Sequence, residues 1–374
     1  LPQFLTIYEF TTQGCCAVPQ AWVDSAEFVR FAGQLLDYRA NCLGYSNKIG
    51  VSRLHAFSAP SSLPLLDRVP PLADGRAVFE SGRPMPPRYA VIIPHFSDAD
   101  RLARCLDALS RNDLADTEVV VVDNASPASP AAVVARHAFA RLVIEPGRGA
   151  AVARNRGVAE TTADALFFLD ADCVPAPDWV AIAKGAVGQA DIVGGAIKVF
   201  DETPPPRSGA EAFETVFAFN YRDYILKKHF SVTANLLTTR RVFETVGPFI
   251  NGLSEDEEWC LRARSKGFSI ALDERLKVGH PTRPDWPSLA RKWGRLNREM
   301  FQLRLQKDGT VKGRVVWFLR ALAMPPSALA HLPRVLRDPR LSGGSERLAG
   351  AVTLVRLRCL RCLWMIRQAL TGRP

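Results

Sequence analysis

Long apolar runs are missing from this chain. No stretch approaches the ~18 consecutive apolar residues of a membrane-spanning helix. The closest, Val315 to Met324, is short, carries Arg320 and ends at Pro325-Pro326. A disulfide framework is missing too. Of the eight cysteines, Cys15 and Cys16 are adjacent and the others are scattered. Cys359-x-x-Cys362 has neither a second such pair nor a nearby His, which argues against zinc. Read as reduced thiols, they point to a cytosolic compartment. The opening LPQFLTIYEF shows neither the basic leader nor the apolar stretch of a signal peptide. No GxGxxG follows the first apolar strand and no GxxxxGK occurs, which disfavours a dinucleotide-binding dehydrogenase and a P-loop enzyme.

What is present is an ordinary globular composition in 374 residues, 47% apolar and 23% charged. That is enough for one large domain or two modest ones. The net charge of +10 is unevenly placed. From Thr310 onward there are twelve Lys or Arg against two acids, Asp338 and Glu346, so the tail accounts for the whole excess. A basic tail on a neutral body suits an anionic partner, a membrane surface or a nucleic acid.

Three regions follow from texture. Residues 1–87 are an extension without an assigned role: a weakly patterned stretch with a helical pattern over 21–36, then a Pro/Ser/Gly-rich linker from 54. From Arg88 apolar strands alternate with helices. Tyr89–Ile93 is a strand stopped by Pro94, followed by a helix over 98–110. A strand over 118–122 ends at Asp123, and a helix over 131–139 precedes a third strand at 141–144. A helix over 149–160 leads to a fourth strand, 165–169, ending at Asp170. Strands without polar alternation predict an α/β fold, a mostly parallel sheet flanked by helices, with ligands beyond the strand carboxyl ends. His95, Asp123 and Asp170 stand at those ends. Residues 301–374 form a basic helical tail, with Leu348, Val352, Val355, Cys359, Leu363, Ile366 and Leu370 at helical spacing. Such a helix lies on an anionic membrane or packs on the catalytic domain with snorkelling arginines.

The sharpest chemical signal is Asp170-Ala171-Asp172 directly after an apolar strand. Two carboxylates one residue apart on a turn can converge on one hard cation, Mg²⁺ or Mn²⁺, that also binds phosphate; acids at strand ends also simply cap turns. The second signal is Ser254-Glu255-Asp256-Glu257-Glu258 ahead of a helical pattern. A capping box would use Ser254 and Glu257, and Glu258 can pair with Arg262, leaving Glu255 and Asp256 without a role.

The run Tyr89–Asp98, EVVVVDNAS (118–126) and GRGAAVARNRGVAETTADALFFLDADC (147–173) resembles the nucleotide-binding half of family 2 glycosyltransferases, which have the GT-A fold. VGPFINGLSEDEEWCLRARSKGF (246–268) is similar to the acceptor half, so the resemblance spans roughly 88–300. It implies a metal-dependent, inverting transfer from a nucleotide-sugar donor to a glycan or lipid-linked acceptor. Pro94, Asp123, Arg154, Asn155 and Asp170 would then adjoin the donor. Asp170, Asp172 and His280 would hold Mn²⁺ or Mg²⁺, Asp256 would be the base and Glu255 would orient the acceptor. Asn235 and Trp259 would lie on the acceptor side, and Arg291 and Arg295, one turn apart, would clamp a phosphate. Where this family commonly has an acid after Phe249, Ile250 and Asn251 stand instead. The implied setting is cytoplasmic, peripheral on the inner face of the cell membrane, with no nucleic-acid partner. Two other readings compete. A sugar nucleotidylyltransferase is expected to carry a GxGTR-like loop where Pro94-His95-Phe96-Ser97 stands. A nucleic-acid-binding scaffold with a basic tail leaves the strand-end acids unexplained.

Overall fold

A computed structural model describes residues 88–374; the expectations for 1–87 lie outside the described residues. Strand β1 (Tyr89–His95) pairs in parallel with β2 (Thr117–Asp123) and β4 (Ala165–Leu169), and β2 pairs in parallel with β3 (Ala140–Ile144). Their central residues, Ala90–Ile93, Val119–Val122 and Leu166–Leu169, are fully buried on both faces, as the unbroken apolar runs require. β1 runs through Pro94 to His95. α1 (Ala99–Leu109) and α2 (Ala131–Val134) lie between these strands, and α3 (Ala150–Ala159) connects β3 to β4. α2 is much shorter than the helix expected over 131–139. His137 breaks off to contact the Val133 carbonyl at 3.1 Å and the Asp107 carboxylate at 2.8 Å.

The second half of the sheet departs from parallel. After β5 (Val174–Pro175), α4 (Trp179–Ala186) and β6 (Ile192–Phe200) come α5 (Gly209–Phe217) and α6 (Tyr221–Leu226). β7 (Asn235–Thr239) then runs antiparallel to both β4 and β6. α7 (Arg240–Val246) and α8 (Glu255–Ser265) lead to β8 (Ile270–Pro281), parallel to β6 and antiparallel to β5. The sheet order is β3-β2-β1-β4-β7-β6-β8-β5. The parallel expectation therefore holds for the first half, and the second half is mixed.

Gly157 lets α3 lie close on the sheet. A Cβ there would stand 2.4 Å from Ile92 Cγ2 and 3.2 Å from Val122 Cγ2. Gly157→Ala is expected to destabilise by about 1–3 kcal/mol through overpacking. Urea unfolding reads this directly, and an unchanged midpoint would show that the sheet can yield.

The tail is continuous with the rest. α9 (Trp286–Asp308) is capped by Asp285, whose carboxylate accepts from Ser288 N at 2.7 Å, with Pro287 in its first turn. The boundary expected after residue 300 falls inside this helix. α10 (Thr310–Leu322) and α11 (Met324–Leu336) are bent by 50° and precede α12 (Gly343–Thr371). Phe213 and Val216 of α5, Leu289 of α9, Val335 of α11 and Leu354 and Leu357 of α12 share one buried cluster. A second joins Phe301, Trp317, Met365 and Ala369. Gln368 Oε1 accepts from both Asn297 Nδ2 at 2.8 Å and Trp317 Nε1 at 2.9 Å, locking α12 to α9 and α10. Among the described residues no single helix is long and apolar enough to cross a membrane.

Candidate active site

Parallel register sets His95 directly beside Asp123 at the carboxyl ends of β1 and β2. Their side chains meet: His95 Nδ1 is 3.0 Å from Asp123 Oδ1, both buried. Because Nε2 accepts from Asp98 N–H at 3.2 Å, the ring proton sits on Nδ1 and donates to the carboxylate. Pro94, half-buried, precedes this pair. Asn124 accepts from Gly149 N at 2.7 Å and donates to the Gly147 carbonyl, tying the turn ahead of α3 to the end of β2.

Arg154, on the buried face of α3, bridges the two halves. Its Nη2 donates to Asp170 Oδ1 at 2.6 Å and its Nη1 to Glu255 Oε1 at 2.9 Å. Burial alone would weaken the guanidinium's hold on its proton, but Asp170 and Glu255 more than offset that. Its Nε is buried without a hydrogen-bond partner. Asp170 thus faces Arg154, whereas its neighbour Asp172 faces His280. The two-residue β5 pairs Val174 with Gly279 on β8, which brings His280 Nε2 to 3.4 Å from Asp172 Oδ2. His280 Nδ1 lies 2.8 Å from the Pro281 carbonyl, so it carries the ring proton and Nε2 presents a lone pair to the carboxylate. Burial lowers the His280 pKa against the pull of Asp172, keeping the ring neutral. A neutral imidazole lone pair facing a carboxylate is a donor set suited to a divalent cation. Among the described residues, no group of three or more His, Cys, Asp or Glu comes together as a metal cage.

Asp256 sits in the first turn of α8. Its Oδ1 accepts from Glu257 N at 2.8 Å and stands 3.3 Å from Ser254 Oγ. That carboxylate takes the role expected of Ser254 in a capping box, and the box does not form. Glu258 does pair with Arg262, at 2.8 Å. Desolvation, reinforced by the adjacent Glu255, pushes the Asp256 carboxyl up to about 7. Across the site, burial raises the Glu299 pKa; Arg295 opposes this and Glu255 adds to it, so the middle of α9 is electrostatically coupled to Glu255.

Three residues expected beside the substrate are engaged by the fold. Trp259 is fully buried and donates to the Gly247 carbonyl at 2.8 Å. Asn235 is fully buried, donating to the Ala196 and Leu276 carbonyls and accepting from Trp179 Nε1. Asn155 exchanges two 2.9 Å bonds with the backbone of Phe249, pinning the 247–251 loop. Arg291 and Arg295 are exposed; Arg291 donates to Ser288 Oγ, and Arg295 stands 3.8 Å from Glu299.

Sequence reasoning missed a cationic pair behind Asp172. Arg283 Nη1 lies 3.7 Å from Asp172 Oδ2, and its backbone N–H donates to Glu214 at 2.6 Å. Lys292 meets the other Glu214 oxygen at 2.5 Å and lies 5.2 Å from the Phe219 ring centroid. Burial works against the Glu214 charge, but Lys292 and Arg283 hold its carboxyl below the usual range. Nothing in the spacing of Glu214 and Lys292 announces this contact. His95 was more accessible to reasoning: two seven-residue strands in parallel end together, so their last residues had to be neighbours.

The sequence model described as Glycosyl transferase family 2 matches residues 90–247, from the first buried strand to the start of the loop pinned by Asn155. The chain carries a family 2 glycosyltransferase domain. The match favours the glycosyltransferase reading over the nucleotidylyltransferase and scaffold readings. Glycosyltransferase AglE of Haloferax volcanii is 28% identical over 250 residues, covering 64% of this chain and 77% of AglE. The pre-mycofactocin glycosyltransferase of Mycobacterium tuberculosis is 26% identical over 216 residues, covering 54% of this chain and 44% of that protein. Among solved structures, mannosyltransferase PcManGT from Pyrobaculum calidifontis, in complex with GDP-Man and Mn²⁺, superposes with a TM-score of 0.53. It is 18% identical and covers 77% of this chain and 88% of its own. That likeness is one of fold: the glycosyltransferase sheet, its switch to antiparallel at β7 and the C-terminal helices form a GT-A architecture.

Proposed function

We propose that this glycosyltransferase moves a sugar from a nucleotide-sugar donor to a hydroxyl of a glycan or lipid-linked acceptor, with inversion and with a divalent metal, working peripherally at the inner face of the cell membrane. The observation that carries the reading is the opposition of Asp172 and neutral His280 across 3.4 Å. These two residues would hold Mn²⁺ or Mg²⁺, which when bound supplies charge neutralisation for a departing diphosphate. Arg283 adds a fixed positive charge to the same side. Asp123, oriented by His95, accepts hydrogen bonds from the donor's base, and the Gly147–Gly149 turn held by Asn124 shapes the wall beside it. Asp170 and Glu255, held by Arg154, face the ribose and the acceptor. Asp256, poised near neutrality, takes the proton of the attacking hydroxyl. PcManGT, solved in complex with GDP-Man and Mn²⁺, makes a guanosine donor the first to try.

The test is thermal stability against UDP, GDP, dTDP and CMP, with and without Mn²⁺, for the wild type and Asp172→Ala. Ligand at 100 times its dissociation constant stabilises by about 2.7 kcal/mol. One nucleotide is expected to raise the melting temperature only with metal, and Asp172→Ala to abolish that rise. A shift that survives in Asp172→Ala would remove the metal assignment.

A further inference from the structure

α12 has two apolar faces, and only one of them is used by the fold. The inner face, with Ala351, Leu354, Leu357, Met365 and Ala369, is buried against α5, α9, α10 and α11. The stripe singled out by helical spacing is the other one, except that Ile366 packs partly against the Phe301–Trp317 cluster. Leu348, Val352, Val355, Leu363 and Leu370 are 65%, 57%, 41%, 65% and 67% exposed, and Cys359 between them is exposed as well. At 100° and 1.5 Å per residue these positions fall within an arc of roughly 80° and run for roughly 33 Å. A stripe of that length left in water on a monomer marks an interaction surface.

The flanks identify the partner. Arg356 and Arg367, both exposed, border the stripe along one edge; beyond the other, Arg347 and Arg358 are half-buried, engaged with the Leu341 carbonyl and Met324 Sδ. The helix's single acid, Glu346, is buried and held by Arg207 and the Ser342 backbone. No negative charge therefore lies on the outer face of α12. At its amino-terminal end the stripe opens into a groove of about 480 Å³ between α12 and the starts of α5 and α9, lined by Leu348, Val352, Trp286 and Arg356. Arg356 stacks on Trp286, 4.0 Å from its centroid, the pairing of cation and amphipathic ring that suits a lipid headgroup boundary.

We infer that the outer face of α12 is a docking surface for an anionic phospholipid bilayer, with the Trp286–Arg356 groove at the headgroup level. A second copy of the chain would bring two arginine-bordered stripes together, whereas anionic lipid complements both the stripe and its Arg356–Arg367 border. The surface is also well placed for the transfer. Trp286 follows Arg283 by three residues, at most about 11 Å of backbone, and Arg283 reaches Asp172. The membrane thereby stands beside the Asp172 side of the site, where a lipid-linked acceptor would enter. This purpose rests on the glycosyltransferase reading; the geometry of the stripe does not.

The experiment is sedimentation of the full chain with vesicles of phosphatidylcholine alone or with about a third phosphatidylglycerol, at two salt concentrations. The wild type is expected to bind only the anionic vesicles, more weakly at high salt. Arg356→Gln and Arg367→Gln are each expected to lower partitioning about fivefold. Leu348→Glu/Val355→Glu/Leu363→Glu is expected to abolish it while keeping the melting temperature and the metal-dependent nucleotide shift. Failure of the wild type to bind, or binding indifferent to the stripe variants, overturns the inference. So does a concentration-dependent dimer, without lipid, that the triple variant dissociates. Loss of the nucleotide shift in the wild type would instead strike the donor site and leave this surface standing.

Discussion

Replacing Asp256 with Asn is expected to lower the transfer rate by about 100- to 10,000-fold while making the protein more stable at neutral pH and above. The two effects have one origin. Desolvation and the Glu255 carboxylate hold the Asp256 carboxyl at about 7, against 3.8 for an ordinary Asp. The folded state therefore favours the protonated side chain. Its contribution to stability is fully present below the ordinary value and is lost as pH rises through about 7. Asn keeps the acceptor oxygen for Glu257 N and never ionises. The gap in melting temperature between Asp256→Asn and the wild type should open between about pH 4 and 7 and then level off. The wild-type rate should rise over the upper part of that window, as a base must lose its proton to work. Thermal melts across pH, set beside a pH–rate profile, check both. A variant that keeps its rate, or a gap independent of pH, would remove Asp256 from the role of base.

Arg154→Met is expected to be the most destabilising single change in the site. A buried ion pair broken from one side costs about 3–5 kcal/mol, because the surviving charge is left uncompensated. Here two charges survive, but Asp170 and Glu255 are 29% and 18% exposed, so water screens part of the loss. About 2–3 kcal/mol is the reasonable expectation. Urea unfolding measures it. Glu255→Gln should cost less in the Arg154→Met background than in the wild type, with a coupling of about 0.5–3 kcal/mol. Additive costs would mean that Arg154 does not join the two halves energetically.

The nucleotide-binding half was largely readable because its physics is local. Buried parallel strands are unbroken apolar runs, and β4 was legible to the residue. The second half was harder, since its longest strand, β8, carries Asp273, Glu274, Arg275 and Lys277. That charged run does not read as a buried strand. In the sheet the register jumps there, from Gly195 opposite Asp273 to Ala196 opposite Lys277, and the ladder resumes beyond the bulge. The burial of Asn235 and Trp259 was not legible, because a polar or aromatic residue in a motif gives no sign of burial. Each is held by a partner outside its own element, Trp179 for one and the Gly247 carbonyl for the other. The α12 stripe was visible as spacing, but only packing shows that the fold leaves that face outward.

β5 is only two residues long, yet its rung to Gly279 fixes where Asp172 meets His280. Between those two residues lie five helices, α4 to α8, and strands β6 and β7, with β7 held independently by its pairing with β4. Insertions in the connections between those elements can reshape the surface around the pair without displacing it. The geometry of the pair is thereby decoupled from the length of chain between its two members.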